Sequence, residues 1–503
     1  MFVRKKKNKS GVISVQVIDK STGKYKVKKT IGSSKNSIEI ENLVLKGKKW
    51  IREKLGILEI DFSNKKETAV EFLNHISQIN ISGTELLLGK LYDDIGFNKI
   101  SDEYFKLLVI SRLSFPVSKL KTVNYLQKYQ GLEVEIQSIY RYLDKLQSKQ
   151  KELVQQISYE HTLKISNNNI SVVFYDVTTI YFQSDNEDDV RKRGFSKEGR
   201  HQNPQIVLGL LVSAGGYPLA FEIFEGNKFE GHTMLPIVDT FKEKFALDKL
   251  IITADSGLMS KQNVSDLQEK GYEFILGARI KNENKEIKNK SLSLKLNNGE
   301  SEIIKKDDTL KLIISYSDKR AKKDKHNRER GLERLKKRIK SNKLTKSNIN
   351  NRGYNKYLKL KGEIIVSIDN EKLKADEKWD GLKGYLTNTE LDKSKVIENY
   401  SYLWKIEKAF RISKHDLKIR PIYHRLQRRI EAHIIINFAS YKIYKELERQ
   451  LEAKGSNLSP EKAIEIAKTI YSVKINILNS KDTITKTLIL NEEQKYLAEL
   501  FGF

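Results

Sequence analysis

The segment Ile170–Phe182 reads ISVVFYDVTTIYF. β-Branched and aromatic residues crowd both sides of Asp176, the pattern of a buried strand that carries one acid. A carboxylate among apolar neighbours is costly unless it is paired or metal-bound. Two further apolar runs follow, 205–213 and 217–224, and Gly215-Gly216 between them predicts a hairpin. Thr233 is placed to cap a helix running to Phe245. Then comes a short apolar strand, KLIITA (249–254), ended by Asp255 in ADSG, a helix near 260–270 and a strand over 272–277. A hairpin first, then strands alternating with helices, predicts a mixed α/β sheet. Alone, Asp176 or Asp255 reads as a strand-end cap; together, on strands that can neighbour each other, they read as a pair.

A third acid lies in a stretch of helical spacing, Glu398 to Leu417. At about 100° per residue, positions seven apart nearly eclipse, so Tyr400, Glu407 and Lys414 form one stripe with Arg411 beside it. Leu403, Ile406, Phe410 and Leu417 form the adjoining apolar stripe, which predicts packing on the sheet. The alternative for Glu407 is a solvated pair with Arg411 at i,i+4. Three carboxylates from two strands and a helix suit a two-magnesium phosphoryl-transfer site, because Mg²⁺ takes oxygen ligands and a pair of ions stabilises both the attacking and leaving oxygens. Tyr400, Lys414 and their neighbours are then candidates for phosphate contact.

Composition narrows the class. The 503 residues carry Lys+Arg 93 against Asp+Glu 65, a formal charge of +28, and no cysteine. The missing cysteine excludes disulfide scaffolds, thiolate zinc sites and cysteine nucleophiles, and fits a reducing compartment. The basic N-terminus has no apolar run of a secretory signal, and the longest apolar stretch, Ile206–Ala214, is too short to span a bilayer. The expectation is a cytoplasmic protein whose charge serves a polyanion; a Lys-rich codon bias is the alternative source of the charge. From Asp318 to Lys343 there are 13 Lys/Arg against 4 Asp/Glu, a net of +9, with Leu332, Leu335 and Ile339 as one apolar seam. This predicts a basic helix, with Lys336, Lys337 and Arg338 as backbone-phosphate contacts. Ser118–Leu126 and Ile136–Leu146, broken by Gly131, resemble a helix-turn-helix, with Tyr140 and Arg141 as DNA contacts. His201, His232, His415, His424 and His433 lack metal-ligand spacing and read as polar or phosphate contacts. Neither GxGxxG nor GxxxxGK[ST] occurs in its strand–helix setting, so no nucleotide cofactor is expected.

Six regions follow: a basic hairpin with helices (1–80), a helical DNA-binding region (81–165), the first part of a catalytic domain (166–280), an insertion with the basic helix (281–375), the second part with the Glu helix (376–450), and a C-terminal helical region (451–503). Segments 36–56 and 66–78 have helical spacing. Ser291–Leu296, Leu310–Tyr316 and Gly362–Ile368 read as strands. From Val396 the chain reads as helical to its end, over 396–416, 425–449, 459–472 and 491–501.

Taken together, FYDVTT, TADSG and WKIEKAFRISK resemble the DDE transposases of bacterial insertion sequences, the IS-four-like superfamily, over about residues 84–450. SYSDKRAKKDKHNRER, WDGLKGYLTNT and IRPIYH resemble one subgroup. The family's last helix carries Tyr, two residues, Arg, three residues, Glu, six residues, Lys. Tyr400, Glu407 and Lys414 fit that spacing, Leu403 stands at the Arg position, and Lys405 and Arg411 are the cations at hand to replace it. The resemblance implies a ribonuclease-H-like mixed sheet with flanking helices, a β-containing insertion domain before the last acid, and helical N- and C-terminal regions. It implies Asp176, Asp255 and Glu407 as catalytic and metal-binding residues with two Mg²⁺, for which Mn²⁺ can substitute. It further implies cleavage at element ends, strand transfer into target DNA, and a homodimer on paired terminal repeats. The rival readings are a non-catalytic DNA-binding regulator or decayed copy, and a host nuclease of the same fold.

Overall fold

Strand β1 (Val172–Tyr181) lies within an eight-stranded mixed sheet. The others are β2 (Gln205–Ser213), β3 (Pro218–Glu225), β4 (Ile251–Ala254), β5 (Glu273–Ala278), β6 (Ser301–Lys305), β7 (Lys311–Tyr316) and β8 (Leu382–Thr387). The order across the sheet is 6-7-8-5-4-1-2-3. The first five strands give 3-2-1-4-5, with β2 antiparallel to its neighbours and β1, β4 and β5 parallel. This is the mixed sheet that the strand pattern anticipates, in the ribonuclease-H-like form that the resemblance implies. In the computed structural model the described residues are 1–21, 23–55, 73–196, 199–245, 247, 250–341, 344, 348–350, 353–361, 365–476 and 482–503.

Helices cover both faces. α1 (Glu103–Ser114), α2 (Lys119–Gln130) and α3 (Ile136–Ile165) precede the sheet, and α4 (Met234–Phe245) and α5 (Lys261–Glu269) connect its strands. α6 (Asp318–Lys340) is the basic helix, and α7 (Lys393–Ser401), α8 (Trp404–His415) and α9 (Gln427–Ala453) follow β8. Alternation along β1 divides the core. Phe174 and Ile180 pack with Ile406 and Phe410 of α8 and with α9, whereas Val173, Tyr175 and Val177 pack with Val238 and Phe241 of α4. Burying a side chain the size of Ile406 or Phe410 contributes about 1.5–3 kcal/mol.

The chain divides into two compact units, Met1–Ser77 with Lys474–Ile484, and Gln78–Val473 with Thr485–Phe503. The smaller one opens on a three-stranded antiparallel sheet, Phe2–Lys7, Ile13–Asp19 and Lys26–Ser34, and a helix Ser37–Leu55. The helical spacing over 66–78 is partly overturned: Ile76–Ile81 is a strand, and 66–72 lies outside the described residues. Ser291 does not open a strand but sits in a helix, Lys285–Ser293, capped by Asn284. Nor is the C-terminal region helical throughout. Tyr471–Asn476 and Thr483–Leu488 are strands, as the β-branched alternation in YSVKIN and TITKTL allows. β6 and β7, within the 281–375 region, extend the central sheet by pairing through β7 to β8. Among the described residues no helix is long and apolar enough to cross a membrane.

Candidate active site

Tyr175 pairs with Ala254 in the parallel β1–β4 ladder, so Asp176 and Asp255 are the next residues on adjacent strands. Tyr175 points the other way, where its Oη donates to Thr233 Oγ1 at 2.8 Å. Asp176 therefore faces the side of the sheet on which α8 packs. It is half-buried, and Asp255, just past the end of β4, is exposed.

Tyr400 of α7 is 6% exposed and donates its hydroxyl to Asp255 Oδ1 at 2.9 Å. Gly277 on β5 makes room for that contact. A Cβ there would collide with Tyr400 Oη and lie 2.9 Å from the Ser256 nitrogen. The ring of Tyr400 meets Tyr385 edge-on at 4.9 Å and carries the Lys383 ammonium 4.2 Å from its centroid. Burial and the Arg320 guanidinium push the Lys383 ammonium below its ordinary range, while Asp255 and Glu407 pull it back up. Lys383 thus stands in the field of two of the three acids. Sequence reasoning missed it, although it is the cation inside the quoted stretch WDGLKGYLTNT.

Glu407 is exposed in the first turn of α8, where a carboxylate is favoured by the helix dipole. With Trp404, Lys408 and Arg411 it lines an open recess. Lys408 is tied to Glu448, and Arg411 is exposed one turn beyond Glu407.

The single helix expected over 396–416 is two. α7 ends at Ser401 and α8 begins at Trp404. Between them the bonds tighten to i−3: Leu403 N–H donates to the Tyr400 carbonyl and Lys405 N–H to that of Tyr402. A tightened turn advances each residue by about 120°. Tyr400 and Glu407 therefore leave the common stripe, and Tyr400 is free to turn to Asp255. Leu403 is buried, in keeping with an apolar residue at the position of the missing Arg. Lys405 reaches the opposite way, donating to the Ala214 carbonyl at 2.5 Å in the β2–β3 turn. Lys414 is half-buried in the last turn of α8.

Oxygen donors on Asp176, Asp255 and Glu407 suit Mg²⁺ or Mn²⁺. Among the described residues, however, no three acidic or imidazole side chains come together closely enough to hold an ion. The expected three-acid cluster is not gathered. Like charges repel, and here Asp255 is bound by Tyr400 instead, while Glu407 faces solvent.

The other candidates sit on other helices. Lys336, Lys337 and Arg338 are exposed on α6, whose Leu335 is buried, as the apolar seam requires. The second helix of the helix-turn-helix reading is α3, which runs for 30 residues and buries Ile139, Tyr142, Leu143 and Leu146. Arg141 on it is exposed, and the Tyr140 ring is covered by Arg429 at 4.9 Å. Arg428 and Arg429 both bind Asp144, at 2.8 and 2.7 Å, so the positive charge they bring is partly spent inside the protein.

The family model described as "Transposase DDE domain" matches residues 167–443, a span that takes in all three acids and the excursion between β5 and β8. No curated protein matches the chain. Among solved structures, a piggyBac transposase synaptic complex with hairpin DNA aligns at 10% identity and a TM-score of 0.39, covering 80% of this chain and 79% of that one. A Mos1 transposase paired-end complex with the left transposon end aligns at 10% identity and 0.16, over 34% of this chain and 58% of that one. A Mos1 mariner paired-end complex with Mn gives 12% and 0.15, over 30% and 53%. With more than half of its length matched, and a ribonuclease-H-like sheet beneath the match, the chain belongs to the transposase DDE domain family.

Proposed function

We propose that the protein is a Mg²⁺-dependent cut-and-paste transposase of the IS-four-like kind, acting in a bacterial cytoplasm as a homodimer on paired element ends. One observation carries the proposal: Asp176 and Asp255 are consecutive to a paired step on neighbouring parallel strands, facing the helix that bears Glu407, inside a transposase DDE domain. Asp176, Asp255 and Glu407 would hold the divalent ions once drawn together, and the ions would supply Lewis-acid stabilisation of the attacking and leaving oxygens. Tyr400 orients Asp255. Arg411, Lys414 and the α6 cations hold phosphate oxygens of the bound strands, and Tyr140 and Arg141 extend that track. In the first reaction a water oxygen attacks phosphorus at the element end and the P–O3′ bond breaks, releasing a 3′-hydroxyl. In the second that hydroxyl attacks phosphorus of a target phosphodiester: a new P–O3′ bond forms, the target's own P–O3′ bond breaks, and the target 3′-oxygen leaves as a hydroxyl with the proton that the attacking hydroxyl gives up.

The test is Asp176→Asn against the unaltered protein, on end-labelled terminal-repeat DNA with Mg²⁺. Nicked and joined products are expected from the unaltered protein alone. Cleavage retained by Asp176→Asn overturns the assignment of that residue. Nicks without joined ends point to a nuclease, and intact DNA affinity without nicking points to a non-catalytic binder.

A further inference from the structure

The three-stranded sheet that opens the smaller unit has one covered face. A Cβ on Gly32 would lie 2.7 Å from Leu43 of the helix Ser37–Leu55, and a Cβ on Gly47 of that helix would meet Val3 at 3.0 Å. Pairing across the strands puts Val3 opposite Val17 and Val15 opposite Gly32, and Val15 and Val17 are fully buried. The alternate residues form the other face. On it Arg4 stands opposite Gln16 and Gln16 opposite Thr30, with Lys6 opposite Ser14. Arg4 Nη2 donates to Gln16 Oε1 at 3.1 Å, so the two side chains are already held together. At one end the Phe2 and Tyr25 rings, 42% and 61% exposed, meet edge-on at 6.1 Å. Lys6 and Thr30 are exposed, and Arg4, Ser14 and Gln16 are half-buried.

Residues 1–35 hold 11 Lys/Arg and a single acid, Asp19, which the Lys28 ammonium meets at 3.5 Å. None of the residues named on the second face is acidic. That face is complementary to a polyanion, and its side chains do more than supply charge. A guanidinium fork matches O6 and N7 of guanine, a glutamine amide matches N6 and N7 of adenine, and Ser and Thr hydroxyls bond to either base. These edges lie in the DNA major groove, about 12 Å wide, where two strands about 4.8 Å apart fit side by side. Lys9, Lys20 and Lys26 are exposed at the ends of the strands, where the phosphates that border the groove would meet them. The major groove of duplex RNA is too deep and narrow for side chains to read.

We propose that this face of the N-terminal sheet reads base edges in the major groove of duplex DNA, with Arg4 and Gln16 choosing the bases and Lys6, Ser14 and Thr30 beside them. The reader belongs to the unit that does not hold the DDE acids. The inference rests on DNA as the partner proposed above, and not on strand cleavage.

In the test the full chain selects from a pool of DNA duplexes with a randomised centre, and the enriched sequence becomes a labelled probe for anisotropy. Arg4→Lys keeps the charge and loses the fork, and Gln16→Ala removes the amide. Both replace surface side chains, and thermal unfolding checks that each variant folds like the unaltered protein. The unaltered chain enriches a defined motif. Each variant loses about tenfold discrimination at one base position, while the salt slope stays the same because neither changes the charge. At the guanine that Arg4→Lys no longer selects, 7-deazaguanine, which lacks N7, weakens the unaltered chain about tenfold and Arg4→Lys little further. The proposal is overturned by the absence of any enriched motif, by a motif that neither variant alters, or by an RNA duplex of the motif sequence that competes as well as the DNA. A chain that never nicks DNA but selects bases through Arg4 and Gln16 leaves it standing; nicking at a motif that neither variant alters sinks it alone.

Discussion

Gly277→Ala tests how the site holds Asp255. The added methyl collides with Tyr400 Oη and sits 2.9 Å from the Ser256 nitrogen and 3.2 Å from its Cβ. Tyr400 cannot swing aside, since it is 6% exposed and wedged between Tyr385 and Lys383. Overpacking of this kind costs about 1–3 kcal/mol. Tyr400→Phe loses one hydrogen bond to an exposed carboxylate that water can re-solvate, a cost of about 0.5–1.5 kcal/mol. In the double variant the hydroxyl clash is gone and the Ser256 contact remains. Its loss is therefore smaller than the sum of the singles by about 1 kcal/mol. Urea midpoints of the four proteins, compared at constant slope, measure the coupling. Nicking rates fall together in both single variants, because each releases Asp255. Additivity within about 0.5 kcal/mol refutes the view that Gly277 is there to admit the tyrosine hydroxyl.

Gln at Lys336, Lys337 and Arg338 lowers the salt slope of duplex binding by about 2.7 if each contacts one phosphate; anisotropy across a salt series reads it, and an unchanged slope returns this charge to codon bias. Chelation of divalent ions stops nicking while duplex affinity persists, and Mg²⁺ or Mn²⁺ restores it; nicking that continues in chelator overturns the metal assignment. Arg429 and Arg428 hold the Asp144 carboxyl at about 2, below its ordinary 3.8. Its contribution is therefore complete above about pH 4 and lost as pH falls through about 2. The stability gap between the unaltered protein and Asp144→Asn stays constant from pH 7 to about 5 and narrows below 4; a gap independent of pH counts against the pairing.

The sheet and two acids were legible because β1, β2 and β4 are largely apolar runs, and Asp176 and Asp255 interrupt or end two of them. The α7–α8 break was not. No Pro or Gly marks Tyr402-Leu403, and the apolar spacing continues through it, so only the distant hydroxyl contact to Asp255 explains the turn. The same holds for the cations. Lys405 and Arg411 look alike in sequence, yet one is taken by the Ala214 carbonyl and the other is exposed. Arg428 and Arg429 add to the chain's basic charge in sequence, and only the fold brings Asp144, far away in the chain, beside them. β6, SEIIK, is short and half polar, and it becomes a strand through pairing with β7.

Ala278 and Gly384 face each other across β5 and β8. Between these positions the polypeptide lays β6 and β7 on the edge of the sheet and then comes back beside β5 as β8. Everything from Arg279 to Gly381 is therefore a detour that begins and ends on neighbouring strands. Its length, charge and decoration can change over evolutionary time without altering where Asp255 and Glu407 stand. A DDE domain built this way can exchange the content of that detour while the strands that carry Asp176 and Asp255 stay as they are.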